Sequence, residues 1–130
     1  MTNLKSEKIK ALAALLTAIA VIAGAFGAHA LANNLPPSSL EVWKTAVFYQ
    51  FLHLIAILAL PASKRSIYLW LTGIILFSGS LYLLSTSSLH TVNLRWLGPV
   101  TPIGGLCFIL GWLSYAMELW QHKPKNDAKA

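Results

Sequence analysis

The sequence has few charged residues, and acidic residues are the scarcest of them. Of its 130 residues 11% are charged, and four acidic residues against ten Lys and Arg give a net charge of +6. A typical soluble domain has about a quarter charged residues. Four long windows contain no charge at all: residues 11–40, 45–63, 66–94 and 96–117. Because a helix of about 20 residues crosses a hydrocarbon core of about 30 Å, the sequence predicts an all-α membrane protein with four transmembrane helices.

Acidic residues are also absent from the interior of the predicted spans. Glu7, Glu41, Glu118 and Asp127 all lie at or beyond the ends of spans. A carboxylate proton relay or an ion pump is expected to place at least one acid within the membrane. The sequence contains no nucleophile paired with a base, no carboxylate pair and no phosphate loop. We therefore predict that the protein is not an enzyme and binds no cofactor.

Cysteine is nearly absent, and the histidines are too far apart to share a metal ion. Cys107 is the single cysteine, so the chain can form no internal disulfide. His29 and His53 differ in membrane depth by about 15 Å at the rise of an α-helix, which is far beyond the reach of one ion. The basic residues are spread over loops and tails instead of one face, which argues against nucleic acid as a partner. We predict no metal site and no nucleic-acid binding.

The charge-free windows predict four spans in one integral membrane domain that covers residues 1–130. The spans lie at residues 9–31, 43–61, 66–84 and 101–120, followed by a disordered tail at 121–130. Eight of the ten Lys and Arg lie in the two tails and the loop between spans two and three. The positive-inside rule then places both termini in the cytoplasm. Ser38 or Ser39 is predicted to cap the second helix and Thr101 the fourth.

The first span has a rival interpretation as a cleaved secretory signal peptide. It follows a basic start, and residues 28–30 form an A-x-A pattern typical of cleavage sites. The uncharged run is longer than the usual signal core of about 7–15 residues. The charge count fits both interpretations, because a cleaved chain with three spans would have the same loop orientations. N-terminal sequencing of the mature protein distinguishes them.

Small residues mark the faces through which the predicted helices pack. At 100° per residue, one side of span one carries small residues at a spacing that lets another backbone approach closely. Further glycines lie in spans three and four, and two of them are seven residues apart on one face. The candidate packing residues are Ala20, Gly24, Gly27, Ala28, Gly79, Gly104 and Gly111.

Two polar residues are predicted to lie deep in the membrane. Gln50 and His53 are vertical neighbours on one face of span two, and His53 is about 15 Å from Trp43, close to the bilayer midplane. Polar groups at that depth must face protein or water. One interpretation is a helix-to-helix hydrogen bond, and the other is a site for a proton or a substrate. His29 is predicted at the outer interface, either as a solvated imidazole or with a proton or ligand role.

Four segments, in the same order along the chain, resemble the YgdD and transmembrane protein 256 family. They are GAFGAHAL at residues 24–31, WKTAVFYQFLH at 43–53, FSGSLY at 77–82, and TPIGG at 101–105 followed by Gly111 and Trp112. The resemblance covers nearly the whole chain. It implies a four-helix inner-membrane protein of unknown function whose first span is not cleaved, and it brings no catalytic residues.

The sequence thus favours a non-enzymatic structural or interaction protein of the inner membrane. Its partners would be the lipid bilayer and either further copies of itself or another membrane protein, bound through the small-residue faces. The alternative is a small transporter or channel that uses Gln50 and His53. A third, weaker hypothesis is lipid binding at the basic inner surface.

Overall fold

The computed structural model describes residues 4–122 and shows four long helices. We number them α1 (Leu4–Leu31), α2 (Pro37–Ala59), α3 (Lys64–Ser85) and α4 (Val100–Gln121). All four are long and apolar enough to cross a membrane, and the described part of the chain contains no strand. The prediction of an all-α protein with four spanning helices is confirmed. The predicted tail at 121–130 falls almost entirely outside the described residues.

The helices begin where backbone chemistry permits, and two predicted caps are wrong. Pro37 is the first residue of α2, where the missing N–H of proline removes no helical hydrogen bond. No side chain caps α2, so Ser38 and Ser39 are not its cap. No side chain caps α4 either, and the Thr101 hydroxyl lies 2.6 Å from Ser80 Oγ instead. A cap in the sequence pattern loses its role when the helix starts one or two residues earlier than the pattern suggests.

The turn between α2 and α3 and the loop between α3 and α4 differ in length and structure. Ser63 caps α3 by accepting a hydrogen bond from the Ser66 backbone N–H at 3.5 Å, so that the helix starts directly after the turn. The longer loop contains two short 3₁₀ turns, at Ser87–Leu89 and Arg95–Leu97. A four-residue turn between long helices leaves α2 and α3 as antiparallel neighbours.

Two of the helices contain π-helical stretches, at Gly27–Leu31 in α1 and at Ile74–Ser78 in α3. A π-helical stretch inserts an extra residue into the ladder and frees backbone groups for other contacts. Within the second stretch the Ser78 hydroxyl donates to the Ala46 carbonyl of α2 at 2.8 Å. That bond joins the middle of α3 to α2.

Packing is uneven around the bundle. α1 packs chiefly on α2, α2 packs on α3, and α3 and α4 pack along most of their lengths. α4 also meets α2 through stacked aromatic rings, with the His53 and Phe108 centroids 3.7 Å apart. Trp70 of α3 is completely buried at the centre of this packing. The arrangement leaves a groove between α2 and α4 that opens toward the lipid.

Candidate functional site

Gln50 of α2 joins three helices in the interior of the bundle. Its Nε2 donates to the Leu16 carbonyl of α1 at 3.1 Å, and its Oε1 accepts a hydrogen bond from the Tyr82 hydroxyl of α3 at 2.7 Å. The side chain is only 5% exposed. A primary amide in hydrocarbon needs partners for both ends, and here each end bonds to a different helix.

His53 joins α2 to α4. Its Nδ1 lies 2.7 Å from the Tyr49 carbonyl, and its Nε2 lies 3.0 Å from the Trp112 indole nitrogen. A carbonyl can only accept and an indole N–H can only donate, so the proton of a neutral imidazole must be on Nδ1. The side chain is 2% exposed, and its ring stacks on Phe108. Both nitrogens are therefore occupied by contacts within the chain.

Gln50 and His53 are neighbours in sequence but contact different parts of the bundle. Gln50 contacts α1 and α3, whereas His53 contacts α4. They do not form a single polar patch facing a cavity. Each residue instead forms its own hydrogen bonds with neighbouring helices. Such helix-to-helix bonding is one of the two interpretations that the sequence offered.

The groove between α2 and α4 has a volume of about 600 Å³. Phe77 of α3 also lines the groove, and the lining is mostly aromatic and aliphatic. Among its residues, Tyr49 has a phenolic hydroxyl with no hydrogen-bond partner within residues 4–122. Tyr49 lies near the middle of α2, at a depth where water is scarce. The remaining groove residues are Leu52, His53, Gly105, Phe108, Ile109, Trp112, Leu113 and Ala116.

His29 lies in the π-helical end of α1 and is exposed. Neither His29 nor His53 belongs to a metal-binding cluster, since residues 4–122 contain no group of three His, Cys, Asp or Glu side chains that could hold a metal ion. His29 has no contact with the polar residues of α2 described above. Its position at a helix end is compatible with contact to water.

The small residues of α1 face α2 of the same chain. Ala20 is completely buried, and a Cβ added at Gly24 would lie 3.5 Å from Val47. A Cβ added at Gly27 would lie 2.6 Å from the ring of Trp43, whose Nε1 donates to the Ala23 carbonyl at 2.9 Å. Much of the small-residue stripe is thus used within one molecule.

The remaining candidate packing residues differ among themselves. Gly104 allows the closest approach of two backbones, because an added Cβ would lie 2.3 Å from the backbone nitrogen of Phe77. Gly111 accommodates the ring of Trp70, 2.5 Å from an added Cβ. An added Cβ at Gly79 would meet nothing within 4 Å, and Ala28 is exposed, so neither packs tightly within the chain.

One polar cluster was not foreseen from the sequence. The Glu118 carboxylate accepts hydrogen bonds from the Ser63 backbone N–H at 2.9 Å, from Ser66 Oγ at 2.7 Å and from Ser114 Oγ at 3.3 Å, and it also bonds the Ser63 hydroxyl. The Arg65 Nε donates to Ser114 Oγ at 3.0 Å. The i, i+4 spacing of Ser114 and Glu118 was a usable signal for one bond, but the contact with the α2–α3 turn depends on tertiary packing.

Comparison with known proteins identifies the family. The family model described as "Protein of unknown function (DUF423)" matches residues 23–105. A UPF0382 membrane protein of Staphylococcus saprophyticus is 44% identical over 110 residues, which cover 78% of this chain and 88% of that protein. The UPF0382 inner membrane protein YgdD of Escherichia coli is 40% identical over 103 residues, covering 72% of this chain and 75% of that protein.

A UPF0382 membrane protein of Haemophilus influenzae is 38% identical over 125 residues, covering 90% of this chain and 97% of that protein. No solved structure matches the chain. The relatives carry membrane-protein names, and this chain has four helices of spanning length, so the protein is a multi-pass integral membrane protein. The family model and these relatives together show that the chain belongs to the DUF423 family of UPF0382 membrane proteins.

Proposed function

We propose that the protein is a non-enzymatic interaction protein that receives a transmembrane helix of a second protein chain in the groove between α2 and α4. The observation that carries the proposal is the open groove itself, of about 600 Å³, whose lining includes Tyr49, and the hydroxyl of Tyr49 has no hydrogen-bond partner within residues 4–122. Gln50, His53, Ser78 and Tyr82 all have hydrogen-bond partners within the bundle. Trp70 Nε1 has no partner within residues 4–122, but Trp70 is completely buried, so a second chain cannot reach it. A hydroxyl without a partner in hydrocarbon is unfavourable, and a partner's backbone carbonyl or side chain would supply the missing acceptor.

The shape of the groove suits a helix. Its α4 wall runs from Gly105 through Ile109 and Leu113 to Ala116, a length of about 17 Å at the rise of an α-helix. Small residues at the two ends allow close approach, and the larger side chains between them provide apolar contact. The sequence suggested instead that the small residues of α1 meet a partner, but Gly24 and Gly27 already face α2.

A transporter or channel that uses Gln50 and His53 is less well supported. A solute pathway needs polar groups that the solute can reach, and these two side chains are 5% and 2% exposed. Their hydrogen-bonding atoms are directed at neighbouring helices. If the protein nevertheless carries protons or solutes in liposomes, and His53→Ala abolishes that flux, the transporter hypothesis replaces the present one.

The proposal is tested by site-specific photo-crosslinking of the full chain in its native membrane. A benzoylphenylalanine at Leu113 lies in the groove, and the same residue at Ile75 lies on an exposed part of α3 outside it. We expect a protein adduct of defined mass from position 113 and none from position 75. A mass twice that of the 14.2 kDa chain identifies a second copy as the partner.

Tyr49→Phe provides the matched variant for this experiment, because it removes the hydroxyl and preserves the ring. We expect the adduct from position 113 to become weaker in that background. Lipid adducts alone at both positions, or equal protein adducts at both, contradict a partner helix in the groove.

A further inference from the structure

A second cavity lies where α1 meets the turn between α2 and α3. Its volume is about 420 Å³, and it is more enclosed than the groove between α2 and α4. Its lining combines polar and aliphatic residues. The polar ones are Ser6, Lys10, Ser63 and Lys64, and the apolar ones are Ile9, Ile57, Leu60, Pro61, Ala62 and Ile67.

The polar part of the lining carries positive charge from two lysines. Lys10 and Lys64 are exposed, and neither forms an ion pair within residues 4–122, where the one salt bridge joins Lys44 to Glu41. Glu118 bonds to Ser63, Ser66 and Ser114 and lines the adjoining cavity, and the exposed Glu7 lies on α1 three residues before Lys10. Neither acid forms a salt bridge with Lys10 or Lys64. Two cations therefore remain available to an anionic ligand.

The aliphatic residues of the lining indicate what kind of anion the cavity would bind. Ile9 comes from α1, Ile57 from α2 and Ile67 from α3, so three helices form one aliphatic wall. A free phosphate would gain nothing from this wall, whereas a phospholipid would place an acyl chain against it. Basic pockets between transmembrane helices are a known mode of binding for anionic headgroups.

We propose that this cavity binds an anionic phospholipid. The headgroup phosphate lies between Lys10 and Lys64, near the start of α3. One acyl chain follows the aliphatic wall toward the membrane interior. The bound lipid thereby connects α1, which packs chiefly on α2, to the start of α3.

The test is native mass spectrometry of the full-length protein in mild detergent, titrated with dioleoylphosphatidylglycerol or with dioleoylphosphatidylcholine. We expect the wild type to prefer the anionic lipid. Lys10→Gln/Lys64→Gln should weaken its binding about thirtyfold, since each lysine near a lipid surface contributes about fivefold. The matched control, Lys8→Gln/Lys44→Gln, removes the same charge at exposed positions outside the cavity and should change binding by less than about twofold.

A second variant keeps both lysines and blocks the cavity. Ser6→Trp places a bulky ring at an exposed position on the cavity wall, outside the core, and should also reduce binding of the anionic lipid. Equal loss in the control double variant, or no preference for the anionic lipid in the wild type, overturns the proposal. The proposal is also overturned if Ser6→Trp binds the anionic lipid as well as the wild type does, and this result holds even if the Lys10→Gln/Lys64→Gln variant fails to fold.

Discussion

Trp112 donates its indole N–H to Nε2 of His53 across 3.0 Å, and this bond fixes the contact between α4 and α2. It also fixes the proton of His53 on Nδ1, where the Tyr49 carbonyl accepts it. The stacked ring of Phe108 covers the imidazole from the side. His53 therefore acts in the structure as a neutral connector between two helices.

The first prediction concerns that bond. Trp112→Phe removes the donor and leaves Nε2 of His53 without a partner, so we expect a loss of about 1–2 kcal/mol in the free energy of unfolding. The measurement is reversible unfolding in mixed detergent micelles. Trp120→Phe is the control, because Trp120 is 92% exposed and should have almost no effect. An equal loss of unfolding free energy in both variants would mean that the hydrogen bond from Trp112 to His53 does not stabilise the protein.

The second prediction concerns the bond between Tyr82 and Gln50. A double-mutant cycle of Tyr82→Phe and Gln50→Leu should give a coupling free energy of about 0.6–1.7 kcal/mol, the range measured for hydrogen bonds between membrane helices. Gln50→Leu alone should be the more damaging variant, because it also removes the bond to the Leu16 carbonyl. Strictly additive effects in the same unfolding assay would exclude a direct interaction of the two side chains.

The third prediction compares two glycines of adjacent helices. Gly104→Ala should destabilise the protein by about 1–3 kcal/mol, since its Cβ would collide with the rigid backbone of α3 at Phe77. Gly79→Ala should change stability by less than about 0.5 kcal/mol, because nothing lies within 4 Å of an added Cβ. Thermal aggregation of the two purified variants in one detergent checks the ranking. A harmless Gly104→Ala would show that α3 and α4 can separate at no cost.

The fourth prediction separates the two faces of α1. Gly27→Leu should disrupt its contact with the ring of Trp43 and with it the packing of α1 on α2, lowering stability by at least about 1 kcal/mol. Ala28→Leu, one residue further on, is exposed and should be nearly neutral for the isolated chain. Protease sensitivity of the α1–α2 loop is a suitable measure. If Ala28→Leu were the more damaging of the two variants, Gly27 would not form the contact between α1 and α2.

The fifth prediction concerns the cluster at the α2–α3 turn. Glu118→Ala leaves three serines without their shared acceptor and should lower stability by about 1 kcal/mol, since the cluster is partly accessible to solvent. Glu41→Ala, which breaks an exposed pair with Lys44, should have a smaller effect. Chemical denaturation of both variants in one detergent gives the comparison. An equal effect of the two would mean that the serine contacts are weak.

The sequence pattern predicts where a polar residue lies along its helix but not which residue it contacts. The depth of His53 and its place on the face of Gln50 follow from helix geometry, because rise and rotation per residue are constant. The partners do not follow from it. Leu16, Tyr82 and Trp112 are 34, 32 and 59 residues away from the polar groups they contact, and nothing local specifies such pairs. Ser38 and Thr101 failed as caps because the helix starts shifted by only one or two residues.

By itself the sequence determined the all-α class and the number of spanning helices, and it predicted which polar residues lie within them. It could do so because charges are excluded from hydrocarbon and because a helix forms the hydrogen bonds of its backbone within the segment itself. Only the tertiary structure decided which helices meet. It directed Gly24 and Gly27 of α1 toward α2, gave Gln50 and His53 separate partners, and placed Tyr49 in the lining of an open groove. Those outcomes depend on how side chains of distant segments fit together, which no local pattern encodes.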